Sequence, residues 1–382
     1  MNGFVTQAGA CLVTGAGPAQ AKPGRHVKYS CVTQTEVANL NGMIAMNSKS
    51  GRQRWLLLAI ACTCVVAVGC GSSTTTSATG TTVSGKGTAN VAYAGSLTNL
   101  NEKVIGPAFT KATGDAYTGR GAGSKALSQE IASAAITPNV FESVGGKPIE
   151  ALEPKFTSWY VSFAASPIVV AYNPSSKYAS QFKAIASGSK PITDLFTLME
   201  QPGFMLGRTD PNLDPQGEAF ILMLMLAQKQ YHLPANTVTK IIQGAPASAN
   251  SPTIFDETAL EPRLQAGQLD AASAYLSQAI QLHLPYITLP ASINQGDPAL
   301  KAQYATVSFK LASGEAAQGK PLVIDIATIG KTDQAAADAF VAYVLSPAGL
   351  ALHRQGGYVL LPPKLTGNMS AVPAAVRKEL RG

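Results

Sequence analysis

The segment AGSLTNL, at residues 94–100, decides how this chain begins to fold, because it follows the short apolar run of residues 90–93. An apolar strand that ends at a turn of small residues and leads into a helix is typical of α/β proteins. Two further segments have the same form. They are GRGAGSKAL at residues 119–127, in which Ser124 can cap the following helix, and RTDPNLDPQGEAF at residues 208–220. In the last, Asp214 is the expected N-cap and Pro215 lies in the first helical turn.

The rest of the chain after residue 90 alternates short apolar runs with helical stretches, which predicts an α/β fold with helices packed on sheets. The predicted strands are residues 90–93, 140–143, 163–172, 204–207, 271–275, 286–289 and 323–327. The predicted helices are residues 124–135, 215–231, 256–266 and 332–345.

The three helix starts are candidate anion sites, since backbone N–H groups there lack partners and the helix dipole favours negative charge. Considered singly, each has a simpler interpretation, because Ser and Asp cap ordinary helices. Lys125 and Arg120 lie near these segments and could steer an anion, although an exposed surface position explains both equally well.

Charge and cysteine are concentrated at the N-terminal end. Residues 1–69 hold six Lys or Arg against one acidic residue, so only +2 of the net charge of +7 belongs to the remainder. A nearly neutral body does not indicate nucleic-acid binding, which needs clustered positive charge. All five cysteines lie at or before Cys70, which excludes disulfides, thiol catalysis and zinc-cysteine or iron-sulfur sites from the body. The four histidines have no metal-site spacing, so no free metal cation and no cofactor are expected.

Residues 43–69 read as a lipoprotein signal peptide, with basic residues, an apolar run of about 14 residues and AVG directly before Cys70. A transmembrane anchor is the alternative, but it needs roughly 20 apolar residues. Cys70 is the expected lipidation site, and residues 70–90 are a Ser/Thr/Gly tether. Residues 1–42 are interpreted as a mis-called N-terminal extension. We therefore expect a protein held by lipid at the extracytoplasmic face of the bacterial cell membrane.

The chain resembles the molybdate/tungstate-binding proteins of ABC importers from about residue 92 to residue 363. The resemblance lies in AGSLT, GSKAL, NVFESV (139–144), the WYVSFA to YNP stretch (159–174), DPNLDPQG and FVAYVLSPAGLALHRQGGYVLLPP. It implies a two-lobed periplasmic-binding-protein-like fold of type II, with crossover strands between the lobes. Residues 91–170 and 287–370 would form lobe 1, and residues 171–286 would form lobe 2.

The resemblance also implies a site for a tetrahedral oxyanion in the cleft and partners in an ABC permease and its ATPase, with the chain itself a monomer. The oxyanion-binding residues that it implies are Ser96, Ser124, Asp214, Gln216, Gly217 and Tyr275. One position departs from the family, because Ala274 stands where a carboxylate-donating branch has glutamate.

Asp214 has two interpretations, as a ligand residue or as a helix cap turned away from a dianion, and capping is the better one. A receptor for sulfate or another solute and a sensing lipoprotein without transport remain alternatives for the whole chain. An enzyme is not expected, because the cleft supplies neutral hydroxyls and one aspartate instead of a nucleophile or an acid/base pair.

Overall fold

The computed structural model describes residues 86–381. Within them the chain alternates strands and helices, as the sequence pattern predicts. The strands are β1 (Thr88–Ala94), β2 (Ala116–Ala122), β3 (Val140–Val144), β4 (Trp159–Ala165), β5 (Ile168–Tyr172), β6 (Leu206–Gly207), β7 (Ala271–Tyr275), β8 (Tyr286–Ile287), β9 (Ser308–Lys310), β10 (Ala316–Gln318), β11 (Val323–Thr328) and β12 (Val359–Gly367). The helices are α1 (Thr98–Leu100), α2 (Gly106–Thr113), α3 (Ser124–Ala132), α4 (Lys147–Glu150), α5 (Ala179–Ala186), α6 (Thr193–Met199), α7 (Pro215–Gln230), α8 (Thr237–Ile241), α9 (Glu257–Gln265), α10 (Leu276–Gln281), α11 (Ala291–Asn294), α12 (Lys301–Tyr304), α13 (Gln334–Leu345), α14 (Pro347–Gln355) and α15 (Ala374–Glu379).

The larger sheet has six strands in the order β12-β4-β11-β3-β1-β2. β1 pairs in parallel with both β2 and β3, whereas β11 and β12 pair antiparallel with their neighbours. All five residues of β3 are buried. Its polar residues Glu142 and Ser143 are enclosed with the apolar ones. β2 is largely exposed and has no apolar run, so it is absent from the strands predicted from the sequence.

The second sheet has four strands in the order β6-β7-β5-β8. β5 runs antiparallel to β7 and β8, and β6 runs parallel to β7. The helices α7 and α9 both contact β7. α7 is apolar on most of its surface and is buried over most of its length, as a helix inside a large core must be.

The predicted single strand at residues 163–172 is wrong, because the chain changes sheet within it. β4 belongs to the six-stranded sheet and β5 to the four-stranded sheet, with Ser166 and Pro167 between them. Proline has no N–H for a strand ladder and therefore interrupts the pairing. Hydrogen bonds to both sides hold this link: Ser166 N–H donates to Leu322 O at 3.1 Å, and Leu276 N–H donates to Pro167 O at 2.9 Å.

The long predicted helices agree with the structure to within three residues at each end, and β1 begins at Thr88, two residues before the predicted start. Among residues 86–381, no single helix is long and apolar enough to cross a membrane. The pair α13 and α14 passes that test only when joined across a bend of 61°. The signal peptide, Cys70 and the N-terminal extension lie outside the described residues, as does the tether before residue 86.

Candidate functional site

Asp214 is the N-cap of α7, as the sequence predicts. Its Oδ1 accepts a hydrogen bond from Gln216 N–H at 2.8 Å, whereas its Oδ2 is buried without a hydrogen-bond partner. Burial raises the pKa of Asp214 to about 6, although the Gln216 N–H bond and the charge of Lys125 act in the opposite direction. One carboxylate oxygen therefore caps the helix, and the carboxylate also meets the side chains of Thr209 and Glu257, which act to lower its pKa.

Gln216 and Gly217 begin α7 and are fully enclosed. The side-chain amide of Gln216 donates to Gln278 Oε1 at 2.9 Å and accepts from the Ser273 hydroxyl at 2.9 Å. Gly217 packs against backbone so closely that a Cβ there would lie 2.2 Å from Thr209 O. These contacts fix the start of α7 against β7 and α10.

Ser96 lies in a 3-10 turn, Gly95–Leu97, directly after β1. Its backbone N–H donates to Glu257 Oε1 at 2.8 Å. Its hydroxyl is buried and has no hydrogen-bond partner. A buried hydroxyl without a partner is costly, so it points to a ligand that would complete it.

Ser124 does not cap α3, which corrects the prediction made from the sequence. Gly123 is the N-cap, and Ser124 is the first helical residue. The Ser124 hydroxyl instead accepts from Val144 N–H at 3.2 Å, at the end of β3. The start of α3 does reach Asp214, because a Cβ on Gly123 would lie 3.0 Å from the Asp214 Cβ.

Tyr275 ends β7 and is almost fully buried, and its hydroxyl has no partner. Burial and the nearby carboxyl groups of Asp214 and Glu257 raise its pKa well above the ordinary value. The phenol is therefore a neutral O–H donor at physiological pH. Ala274, at the position of the family's glutamate, instead packs in an apolar cluster with Leu260 and Leu264.

Two glutamates of α9 belong to this site and are missed by the sequence reading. Glu257 and Glu261 are both buried, and each has one carboxyl oxygen without a hydrogen-bond partner. Burial comes first in raising both pKa values, and the charge of Asp214 adds to it; the value for Glu261 is about 8. A glutamate in the first turn of a helix is ordinary in sequence, so only its burial distinguishes Glu257.

The structure thus brings Ser96, Asp214 and Tyr275 around Glu257, and it places Gln216 and Gly217 behind Asp214. Ser124 adjoins this group through the contact of Gly123 with Asp214. A cavity of about 230 Å³ is lined by Gly95, Ser96, Thr98, Asn99, Glu102, Lys103, Thr258, Glu261, Pro262, Gln265, Gln278, Gln281 and Leu282. Ser96 and Glu261 lie on its wall, whereas Asp214, Tyr275 and Glu257 do not.

Two of the nearby cations are paired, whereas Lys103 on the cavity wall and the buried Arg208 form no ion pair in the described part of the chain. Lys125 Nζ lies 2.5 Å from Glu218 Oε2, and Arg120 forms an exposed ion pair with Glu130. Within residues 86–381, no group of three or more His, Cys, Asp or Glu is arranged to hold a metal ion. What the site offers is a set of neutral O–H and N–H donors beside buried carboxyl groups.

Comparison with known proteins identifies the class. Residues 89–359 match the family described as bacterial extracellular solute-binding protein, and the chain belongs to this family. The predicted membership of the extracellular solute-binding proteins is thereby confirmed, and the predicted α/β fold agrees with the two mixed sheets and their helices. It is a family of solute-binding transport components rather than of enzymes.

Two relatives have names that specify a ligand. The chain is 36% identical over 203 residues to a Haloferax volcanii protein with the provisional name of an ABC transporter molybdenum-binding protein, covering 53% of this chain and 61% of that one. It is 28% identical over 237 residues to the molybdate/tungstate-binding protein WtpA of Thermococcus kodakarensis, covering 57% of this chain and 65% of that one. The chain thus spans less than two thirds of either relative. The solved periplasmic molybdate-binding protein of Azotobacter vinelandii matches at a TM-score of 0.48 and 19% identity, covering 71% of this chain and 99% of that chain.

Proposed function

We propose that this chain is the solute-binding component of an ABC importer and that it captures a tetrahedral oxyanion, with molybdate or tungstate as its ligand. The observation that carries the proposal is the pair of buried hydroxyls, Ser96 Oγ and Tyr275 OH, that have no partner in the protein. Ser96 follows β1 of the six-stranded sheet, and Tyr275 ends β7 of the four-stranded sheet. Both lie near the carboxyl group of Glu257. Relatives named for molybdate and tungstate support the choice of ligand.

The physical requirement is the replacement of the ligand's hydration. A dianion enclosed by protein must receive hydrogen bonds from several O–H and N–H groups, because an unpaired buried charge is very costly. Neutral donors meet this need without a permanent counter-charge. The bond from Gln216 N–H to Asp214 holds one oxygen of that carboxylate on the helix, which limits its repulsion of the ligand.

The remaining parts of the proposal concern the setting. Acylated Cys70 would hold the protein at the extracytoplasmic face of the membrane, and a permease with its ATPase would receive the ligand. The tether would run from Cys70 to the start of β1 at Thr88 and not to residue 90, because residues 88–90 belong to that strand. The six-stranded and four-stranded sheets would belong to two lobes of a monomer that close on the ligand. Their boundaries would fall at Ser166 and Pro167 and after Ile287, rather than at residues 170 and 286, because β5 and β8 lie wholly in the four-stranded sheet. No catalytic step and no cofactor enters this account.

The test is ligand binding by the purified protein. Thermal unfolding and titration calorimetry with molybdate, tungstate, sulfate and phosphate compare the four anions, since a ligand bound only by the folded state raises the unfolding midpoint. Submicromolar binding of molybdate or tungstate with weak sulfate binding is the expected result. Preference for sulfate or phosphate would reassign the ligand, and no response to any of the four would refute oxyanion capture.

A further inference from the structure

Glu257 is a residue of the site that the sequence motifs do not single out. It is the first residue of α9, and its Oε1 accepts a hydrogen bond from Ser96 N–H at 2.8 Å. That N–H begins the helical segment after β1, where an anionic ligand would be expected to bind. A side-chain oxygen of Glu257 therefore occupies a place suited to an oxyanion oxygen.

The second oxygen, Oε2, faces the backbone at Gly95. A Cβ on Gly95 would lie 2.6 Å from Oε2, so only glycine permits this approach. Oε2 is buried and has no hydrogen-bond partner. Ser96 Oγ, Asp214 Oδ2 and Tyr275 OH are also buried without partners. Asp214 and Glu257 lie within hydrogen-bonding reach of each other, so their two oxygens can share a proton. Ser96 Oγ and Tyr275 OH are hydroxyl donors from separate segments beside this carboxyl pair, and they indicate a ligand contact rather than a packing fault.

The protonation state of Glu257 decides whether this contact attracts or repels an oxyanion. An ionised carboxylate against a dianion in a dry site is strongly unfavourable, whereas a protonated carboxyl group has an O–H to donate. Burial, Asp214 and Glu261 all raise the pKa of Glu257 well above its ordinary value. The charged groups that raise its pKa are Asp214 and Glu261, whereas the N–H groups of Ser96 and Gly95 act in the opposite direction. Tyr275 and Tyr358 also face it. Among the cations of this region, Lys125 is engaged by Glu218 and Arg120 by Glu130, whereas Lys103 on the cavity wall and the buried Arg208 form no ion pair within residues 86–381.

We propose that Glu257 is a ligand-binding residue of this site, and that its protonated carboxyl group donates a hydrogen bond to the bound oxyanion. This deepens the proposed function and rests on it. The proton stays on Glu257 and is shared with a ligand oxygen. Above the pH at which Glu257 ionises, capture of the anion takes one proton from solvent. Affinity then falls as pH rises, by up to about tenfold per pH unit.

The experiment is calorimetric titration of the purified full chain with molybdate from about pH 6 to about pH 9, in buffers of different ionisation enthalpy so that protons are counted. The wild type is expected to lose affinity toward high pH and to take up one proton there. Glu257→Gln keeps a neutral donor of the same shape and is expected to bind at every pH without that proton. Glu257→Ala removes the donor and is expected to bind roughly tenfold or more weakly at low pH.

Two matched variants test whether the proton uptake belongs to Glu257. Asp256→Asn changes the exposed neighbour, whose side chain caps nothing, and should leave the wild-type pH profile intact. Glu261→Gln changes the other buried glutamate of α9 and should keep the proton uptake. If Glu261→Gln abolishes the uptake and Glu257→Gln does not, the assignment to Glu257 is refuted.

The outcomes also separate this inference from the proposed function. Molybdate binding by the wild type with no pH dependence and no proton uptake overturns the role of Glu257 and leaves oxyanion capture standing. Tighter binding by Glu257→Ala would likewise overturn it, because Glu257 would then be a competitor of the ligand. Absence of binding for all four anions removes the proposed function itself. The proton count on the wild type needs no variant, so a variant that fails to fold does not leave the question open.

Discussion

The side-chain amide of Gln216 donates to Oε1 of Gln278 at 2.9 Å, and Tyr275 N–H donates to the same oxygen at 2.9 Å. This shared acceptor joins the start of α7 to the start of α10. Two of the proposed ligand residues, Gln216 and Tyr275, are therefore held in register by Gln278.

Gln216→Ala is expected to lower the free energy of unfolding by about 2 to 4 kcal/mol, because Gln278 and Ser273 lose a buried partner and a void is left. Denaturant unfolding of the ligand-free protein measures it. Gln230→Ala, at the exposed end of the same helix, is the control and should stay within about 0.5 kcal/mol of wild type. Equal stability of the two variants would contradict the structural role of this network.

Ser96→Ala and Tyr275→Phe are expected to separate binding from stability. Both remove a hydroxyl that has no partner in the protein, so unfolding should change by no more than about 0.5 kcal/mol. Molybdate binding should weaken by about 1 to 3 kcal/mol for each, measured by calorimetry. Ser128→Ala is the opposite case, since that hydroxyl donates to Pro148 O at 2.7 Å, and it should lower stability while leaving affinity intact. If Ser96→Ala instead binds like wild type, its hydroxyl does not contact the ligand.

Ser124→Ala should lower both the stability of the protein and its affinity for molybdate. The Ser124 hydroxyl accepts from Val144 N–H, so its removal leaves a buried N–H unpaired and costs about 1 to 3 kcal/mol of stability. The same hydroxyl can donate to a ligand, so affinity should fall by about 1 to 3 kcal/mol. Unfolding and calorimetry on one preparation give both values. Loss of stability with unchanged affinity would make Ser124 purely structural.

Stability of the ligand-free protein is expected to fall between about pH 6.5 and about pH 8. Burial raises the pKa of Glu142 to about 7, of Asp325 to about 7 and of Glu261 to about 8. The folded state then binds more protons than the unfolded state in this window, so raising the pH disfavours it, by up to about 1.4 kcal/mol per pH unit for each group. Burial lowers the pKa of His353 to about 4, so this residue destabilises the folded protein only as the pH falls below the ordinary histidine pKa of about 6.5. It therefore does not oppose the fall in stability above about pH 6.5.

Denaturant unfolding across this pH range tests the expectation, and Glu142→Gln should make the slope shallower. Glu315→Gln is the matched control, because Glu315 is exposed and its pKa is lowered by Lys147. That group is ionised in both states throughout the window. A slope that is flat in the wild type, or unchanged by Glu142→Gln, would show that Glu142 does not remain protonated in the folded protein.

Features of the site that depend on neighbouring residues could be predicted from the sequence. The cap formed by Asp214 before Pro215 needs only three consecutive residues, and the structure has it. The same reasoning failed for Ser124, because its hydroxyl is taken by Val144, a strand residue 20 positions along the chain. The pattern shows that a hydroxyl stands near a helix start, but the competing partner comes from tertiary packing.

The sheet change at Ser166 and Pro167 and the role of Glu257 could not be predicted for related reasons. Nine apolar or small residues flank the proline, so the apolar pattern continues across the break and reads as one strand. Glu257 meets Ser96 across 161 positions, and no local spacing records such a contact. Both features depend on how the second sheet lies against the first.

The link at Ser166 and Pro167 has a mechanical consequence. Proline fixes one of the backbone torsions there, and the Ser166 hydroxyl both donates to the Ser277 hydroxyl and accepts from Ser277 N–H at 3.0 Å. A rotation of one sheet relative to the other at this link must change the few free backbone torsions together. It must also break the hydrogen bonds between Ser166 and Ser277, which lie at the start of α10. The link is therefore stiff, and Ser277, to which it is bonded, lies two residues after Tyr275. A rotation of the backbone at Ser166 and Pro167 would therefore also move Tyr275.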